Sequence, residues 1–143
     1  MTATRESVAQ ALLAAIAPSS AGYALTGRRN INPEGMPTPA LMLLEYGEET
    51  HRPSIALPPV RSWHYRALIY VDAGGDETVI PAALLNPLLD AIDAALVPDD
   101  PVSGRSTLGG LVTSALVDGE TIKSPGEMTG RALAIVPITV IVP

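Results

Sequence analysis

The residues able to do chemistry are few and scattered. His51 and His64 are the only histidines, and neither has a histidine three or four positions away to share a metal. Cysteine is absent, which excludes thiolate ligands, disulfides and cysteine nucleophiles. Asp72-Ala-Gly-Gly-Asp76-Glu77 opens like a calcium loop but lacks the third ligand and the distal Glu, so it reads as a tight turn into a helix. Gly104-Arg-Ser-Thr-Leu-Gly109-Gly110 has glycines spaced like a phosphate loop. The Lys that must follow is replaced by Gly110, so nothing neutralises a phosphate. The same stretch fails the Gly-x-Ser-x-Gly elbow, because Leu108 holds the fifth position. Glu48-Glu49 and Asp99-Asp100 are adjacent carboxylates, and neighbours on a loop point apart and stay solvated. A catalytic pair needs environments that drive two pKa values apart. No enzyme, cofactor or metal is expected.

These residues sit on a chain of 143 residues, one domain's worth, with 47% hydrophobic residues and no Phe. Its core is built from Leu, Ile, Val and Ala. The net charge of −6 is uneven: residues 1–66 carry +1 and residues 67–143 carry −7. Lys123 is the only lysine. No basic stripe is available to displace counterions, which argues against specific nucleic-acid binding. An acidic wall repels DNA and suits a surface that DNA slides past. Val8–Ala17 has the length of a signal-peptide core, but Glu6 cancels Arg5 and Gln10 interrupts the run. Ala132–Val142 is apolar but only eleven residues long, against the ~20 of a spanning helix, so no membrane role is expected.

The periodicity predicts a first helix over Arg5–Ala17, capped by Thr4 and stopped by Pro18. A short strand follows near Tyr23–Arg28, then a Pro/Gly/Asn-rich loop over 29–39. Ala40–Gly47 and the long Val60–Asp72 alternate as strands. Their connection suggests a β-hairpin whose tip, over Glu48–Pro59, protrudes from the body. Thr78 is expected to cap a second helix over Val79–Val97, with a kink or local break near Leu84–Asn86 caused by Pro87. Leu111–Val117 and Glu120–Lys123 are expected to pair through an Asp118-Gly119 turn. Arg131–Val142 is the last strand, bulged or at an edge near Pro137 and suited to pairing between subunits. The expected fold class is α+β: two helices packed on a mainly antiparallel sheet, with a long protruding β-hairpin.

Four segments in order carry a family likeness. They are Ile80-Pro-Ala-Ala-Leu-Leu-Asn-Pro-Leu-Leu-Asp-Ala-Ile-Asp-Ala-Ala-Leu96, Gly104-Arg-Ser-Thr-Leu-Gly-Gly-Leu-Val112, Asp118-Gly-Glu-Thr-Ile-Lys-Ser-Pro-Gly126 and Ala134-Ile-Val-Pro-Ile-Thr-Val-Ile-Val-Pro143. Over residues 66–143 this order resembles the tail terminator proteins of tailed bacteriophages; Pro39–Glu45 and Tyr70–Gly75 also fit. The motifs are structural, and no functional residue transfers through them. The resemblance implies an α+β domain assembled as a homo-oligomeric, hexameric ring on the head-proximal end of the tail tube. Such a ring stops tube polymerisation and meets a neck or head-completion (connector) protein, while DNA passes through its lumen unread. It implies a place in the virion tail after assembly in the host cytoplasm. Seven residues are expected to touch neighbouring subunits or the tube: Glu48, Glu49, His51 and Arg52 on the hairpin tip, and Arg105, Ser106 and Thr107 on the glycine-rich loop. A tube subunit or a neck protein would use a similar fold; a small-molecule-binding α+β module would instead need a concave pocket.

Overall fold

The computed structural model describes residues 3–30, 35–52, 60–74, 76–124 and 130–142. Two helices lie on one face of a seven-stranded mixed sheet, an α+β architecture. Helix α1 is Arg5–Ile16, and Thr4 caps it as expected. The Thr4 hydroxyl accepts from Ser7 N, and Ser7 Oγ accepts from Thr4 N at 2.9 Å, a reciprocal box that satisfies two otherwise orphaned donors. Val8, Leu12 and Ile16 recur on one side and are fully buried. Each contributes about 1.5–3 kcal/mol relative to exposure.

Strands β1 (Leu25–Gly27), β2 (Ala40–Glu45), β3 (Thr50–Arg52) and β4 (Val60–Asp72) come next. Helix α2 is Pro81–Ala95, followed by β5 (Ser114–Val117), β6 (Ile122–Ser124) and β7 (Arg131–Val142). The sheet order is β1-β2-β4-β7-β5, with β3 also paired to β4 and β6 also paired to β7. Among the described strands only β1 and β2 run parallel. β4 and β7 form the spine, in antiparallel register from Arg61↔Val142 to Asp72↔Arg131. Period-2 alternation sorts their side chains. Trp63, Tyr65, Ala67, Ile69 and Val71 join Ala134, Val136, Ile138 and Val140 under the helices. Ala40, Met42 and Leu68 form a smaller cluster on the other face, with Tyr70, Leu133 and Ile135 beside them.

Several expectations change. The long strand does not stand free of the body, because β7 flanks β4 along its length. The strand before it splits instead. β2 ends opposite Tyr65 and β3 resumes opposite Ser62, so four residues, Tyr46 to Glu49, face the two residues Trp63 and His64. The expected protruding tip beyond Arg52 lies over residues 53–59, outside the described set.

Asp118-Gly119 is not a hairpin turn. β5 and β6 both pair with β7, at Ser114↔Ile141 to Val117↔Ile138 and at Ile122↔Ile135 to Ser124↔Leu133. Pro137 explains the interruption. Asp118 N donates to Pro137 O at 3.1 Å, so that carbonyl faces the gap between β5 and β6. A strand residue's N–H and C=O point to the same side, so the donor that proline lacks would also face the gap. β7 is therefore central rather than an edge, and is not open to pairing between subunits.

Helix α2 starts later than expected. Thr78 does not cap it; its hydroxyl and amide both bind Asp76 Oδ1, and Ile80 occupies the cap position without a side-chain bond. The helix runs unbroken through Pro87, with no interruption at Leu84–Asn86. Pro87 is exposed, so the carbonyl it leaves without an amide partner lies toward solvent. Leu85 and Ile92 are buried against the sheet, while Leu84 is exposed.

Candidate interaction site

The expected contact residues fall into two clusters. The first is built on the extra residues between β2 and β3. Gly47 takes φ +82°, the left-handed turn that lets the chain leave the ladder and return. Tyr46 N still donates to His64 O at 3.0 Å. Glu48 and Glu49 are therefore exposed on the bulge, and His51 and Arg52 on β3, not on a free tip. Glu49 accepts a two-pronged bond from Arg5 on α1, with Nε and Nη2 each at 2.7 Å. That fork matches carboxylate geometry and fastens the bulge to the helix. The hydrogen bond from Arg5, then its charge, hold the Glu49 carboxyl below its ordinary range. His51 Nε2 lies 3.8 Å from the same carboxylate.

Arginines and aromatic rings extend this cluster. Arg5 and Arg61 lie 5.4 and 5.0 Å from the centroid of Trp63, and Arg66 lies 3.5 Å from that of Tyr46. Arg28 bridges Glu6 on α1 and Glu45 on β2, the latter at 3.0 Å. Glu6 is held below its ordinary value first by the hydrogen bond from Arg28. Of these groups Arg5, Glu45, Tyr46 and Trp63 border a cleft of about 270 Å³ beside the bulge residues Gly47, Glu48 and Glu49. The indole N–H of Trp63 is buried with no hydrogen-bond partner. Desolvation pushes the Tyr65 phenol up to about 12, so it stays neutral at physiological pH.

The second cluster is a tied loop after α2. The Asp99 carboxylate accepts from Thr107 N at 2.8 Å, Thr107 Oγ1 at 2.9 Å and Gly109 N at 3.0 Å. Those bonds, Gly109's first, hold its pKa below the ordinary value. Asp100 accepts from Val102 N and Ser103 Oγ, the latter lowering its pKa most. Asp99 and Asp100 therefore organise backbone and do not face each other as an acid–base pair. Leu108, Gly109 and Gly110 all take positive φ, at 49°, 73° and 92°. The structure places Arg105 on the surface, Thr107 half-buried and Ser106 only 5% exposed, its carbonyl accepting from Ala115 N. The length of this loop thus has a structural reason that spacing alone does not reveal.

The two clusters do not meet. Both lie toward the end of the sheet where β7 finishes, but on opposite edges. β4, β7 and β5 separate β3 from the Ser106 segment, four inter-strand spacings or about 19 Å.

A polar chain missed by spacing arguments crosses the sheet face away from the helices. His64 Nδ1 lies 3.1 Å from Thr139 Oγ1, and Thr139 donates to Asp118 Oδ2 at 3.3 Å. With its proton on Asp118, the hydroxyl accepts from the ring, so His64 is not placed as its base. The chain links the two points where the outer strands break register. Among the described residues no three His, Asp or Glu side chains cluster as a metal site, and no helix is long and apolar enough to cross a membrane.

No protein-family model matches the chain, and no curated protein sequence matches it.

Proposed function

We propose that this chain is a structural subunit of a tailed-phage tail, a tail terminator whose copies close into a ring at the head-proximal end of the tube. The observation that carries the reading is the separation of two unlike surfaces on opposite edges of one rigid sheet. One is the exposed β3 edge with Glu48, Glu49, His51 and Arg52; the other is the braced loop with Arg105. Unlike surfaces that meet head to tail build rings when the rotation closes and filaments when it does not. The β4–β7 spine supplies the stiffness, and the Arg5–Glu49 and Asp99 ties fix both edges. Such a subunit works through shape: one face of the ring copies the last tube ring, and the other offers the tube protein nothing to add to. The acidic half of the chain suits a lumen that DNA passes without being held.

Electron microscopy of the purified protein, paired with mass by light scattering, tests this reading. Closed rings of one subunit number are expected, with Arg52→Glu folded but no longer assembled. Filaments from the chain alone would favour a tube subunit. A monomer at every concentration would end the ring reading.

A further inference from the structure

Helix α2 has two apolar sides, and the fold uses only one. Leu85 and Ile92 face the sheet. Ile80, Leu84, Pro87, Ala91, Ala94 and Pro98 recur at steps of four and three along the outside, all exposed. Ile80 is 65% and Leu84 38% accessible. The helix's only charged residues, Asp90 and Asp93, sit to one side, where they border a groove with Lys123 of β6. The outer strip is therefore free of charge, and a contiguous exposed apolar strip marks a surface that a partner covers.

We infer that a second copy of this chain covers it, through antiparallel pairing of α2 about a two-fold axis beside Pro87 and Leu88. The strip is large at its N-terminal end and small at its C-terminal end. Antiparallel pairing sets Leu84 of each copy against Ala91 of the other, and Ile80 against Ala95. At that second position the fold already holds a mainly apolar groove of about 530 Å³, bordered by Ala11, Ala14 and Ala15 of α1, by Ala95 and Val97, and by the loop from Asp99 to Gly109. Ile80 is the knob for this hole, and one register supplies both contacts twice. The same arrangement sets the positive N-terminus of each helix, whose first turn has no acid of its own, beside the negative C-terminus of the other. With 15 residues, α2 is about 22 Å long and ~11 Å wide. The strip covers roughly 250–400 Å² per copy, short of the ~800 Å² of a standard interface, so association is expected at tens of micromolar. The groove reaches the Asp99–Gly109 loop but not β3, and neither Arg105 nor Arg52 lines it, so pairing and ring formation are read by separate experiments.

The lack of cysteine makes the test direct. Leu84→Cys and Ala91→Cys are prepared separately, mixed at about 100 μM and oxidised mildly. The mixture is expected to give an 84–91 disulfide dimer, identified by peptide mass. Each variant alone is expected to give at least fivefold less, since like positions lie over ~10 Å apart along the axis, beyond disulfide reach. Adding Ile80→Glu to both is expected to cut the yield about tenfold; circular dichroism checks its fold. No 84–91 product, equal yields from the single variants, or a yield unmoved by Ile80→Glu would each overturn the inference. Failure here leaves ring formation, read by microscopy, untouched.

Discussion

Replacing Gly130 by Ala probes the junction that sets the sheet's spine. Gly130 immediately precedes β7, with φ +75°, and its carbonyl accepts from Ala73 N at 2.7 Å. A Cβ there would lie 2.6 Å from Gly74 O, a backbone atom that cannot rotate aside. Two costs follow. The left-handed conformation costs an alanine about 1–2 kcal/mol. Opening the contact costs about 1–3 kcal/mol more, the usual range for overpacking. The stiffer unfolded chain returns about 0.4–1 kcal/mol. The net is about 3 kcal/mol. Unfolding entropy of ~2.1 cal/mol/K per residue over 143 residues is about 0.3 kcal/mol/K, so Tm should fall by about 10 °C. Gly22→Ala is the control: φ is +79° there, but nothing lies within 4 Å of the new Cβ. It should lose only about 2–3 °C. Scanning calorimetry of the pair isolates the steric cost, and equal losses would refute the close approach of Gly130 to Gly74.

Three further outcomes are expected. Ile92→Ala removes a fully buried side chain between α2 and the sheet and should cost about 2–5 kcal/mol in urea titration; a loss under 1 kcal/mol would mean that α2 does not dock there. Glu49 is held below its ordinary value of 4.5, so its contribution is present above about pH 4.5 and fades as pH falls through the folded-state value. The native protein's Tm advantage over Glu49→Gln should therefore be visible at pH 7 and shrink as pH falls below about 4.5; an undiminished advantage at pH 3 would count against the Arg5 pair. Asp99→Asn should speed amide exchange at Thr107 and Gly109 and trypsin cleavage after Arg105, while exchange in β4 and β7 stays slow.

Local pattern revealed the elements better than their partners. Val60–Asp72 alternates along its whole length because both faces of β4 are covered unequally, and its limits agree with the structure. Thr4 caps α1 through bonds spanning three residues, a signal carried within one turn. Asp118-Gly119 misled because its geometry is decided by Pro137, eighteen positions away on a different strand. Apolar residues on both faces of β7 reflect its place in the middle of the sheet, which a strand awaiting a subunit partner would share. Glu49 is tied to an arginine 44 positions distant, and Ser106 is buried by a loop that Asp99 gathers. No short-range spacing encodes those pairings. α2 hid its second stripe because Pro87 and two alanines do not register as hydrophobic anchors beside the leucines.

The proposed role of this chain is that of a closed collar on one end of a tube. It is tested most directly by cryo-electron microscopy of gold-labelled protein added to tail tubes growing from purified tube protein. The label should sit as a single ring at one end only, with elongation stopped there. Label spread along the tube walls, or tubes that lengthen unchecked past it, would contradict the claim.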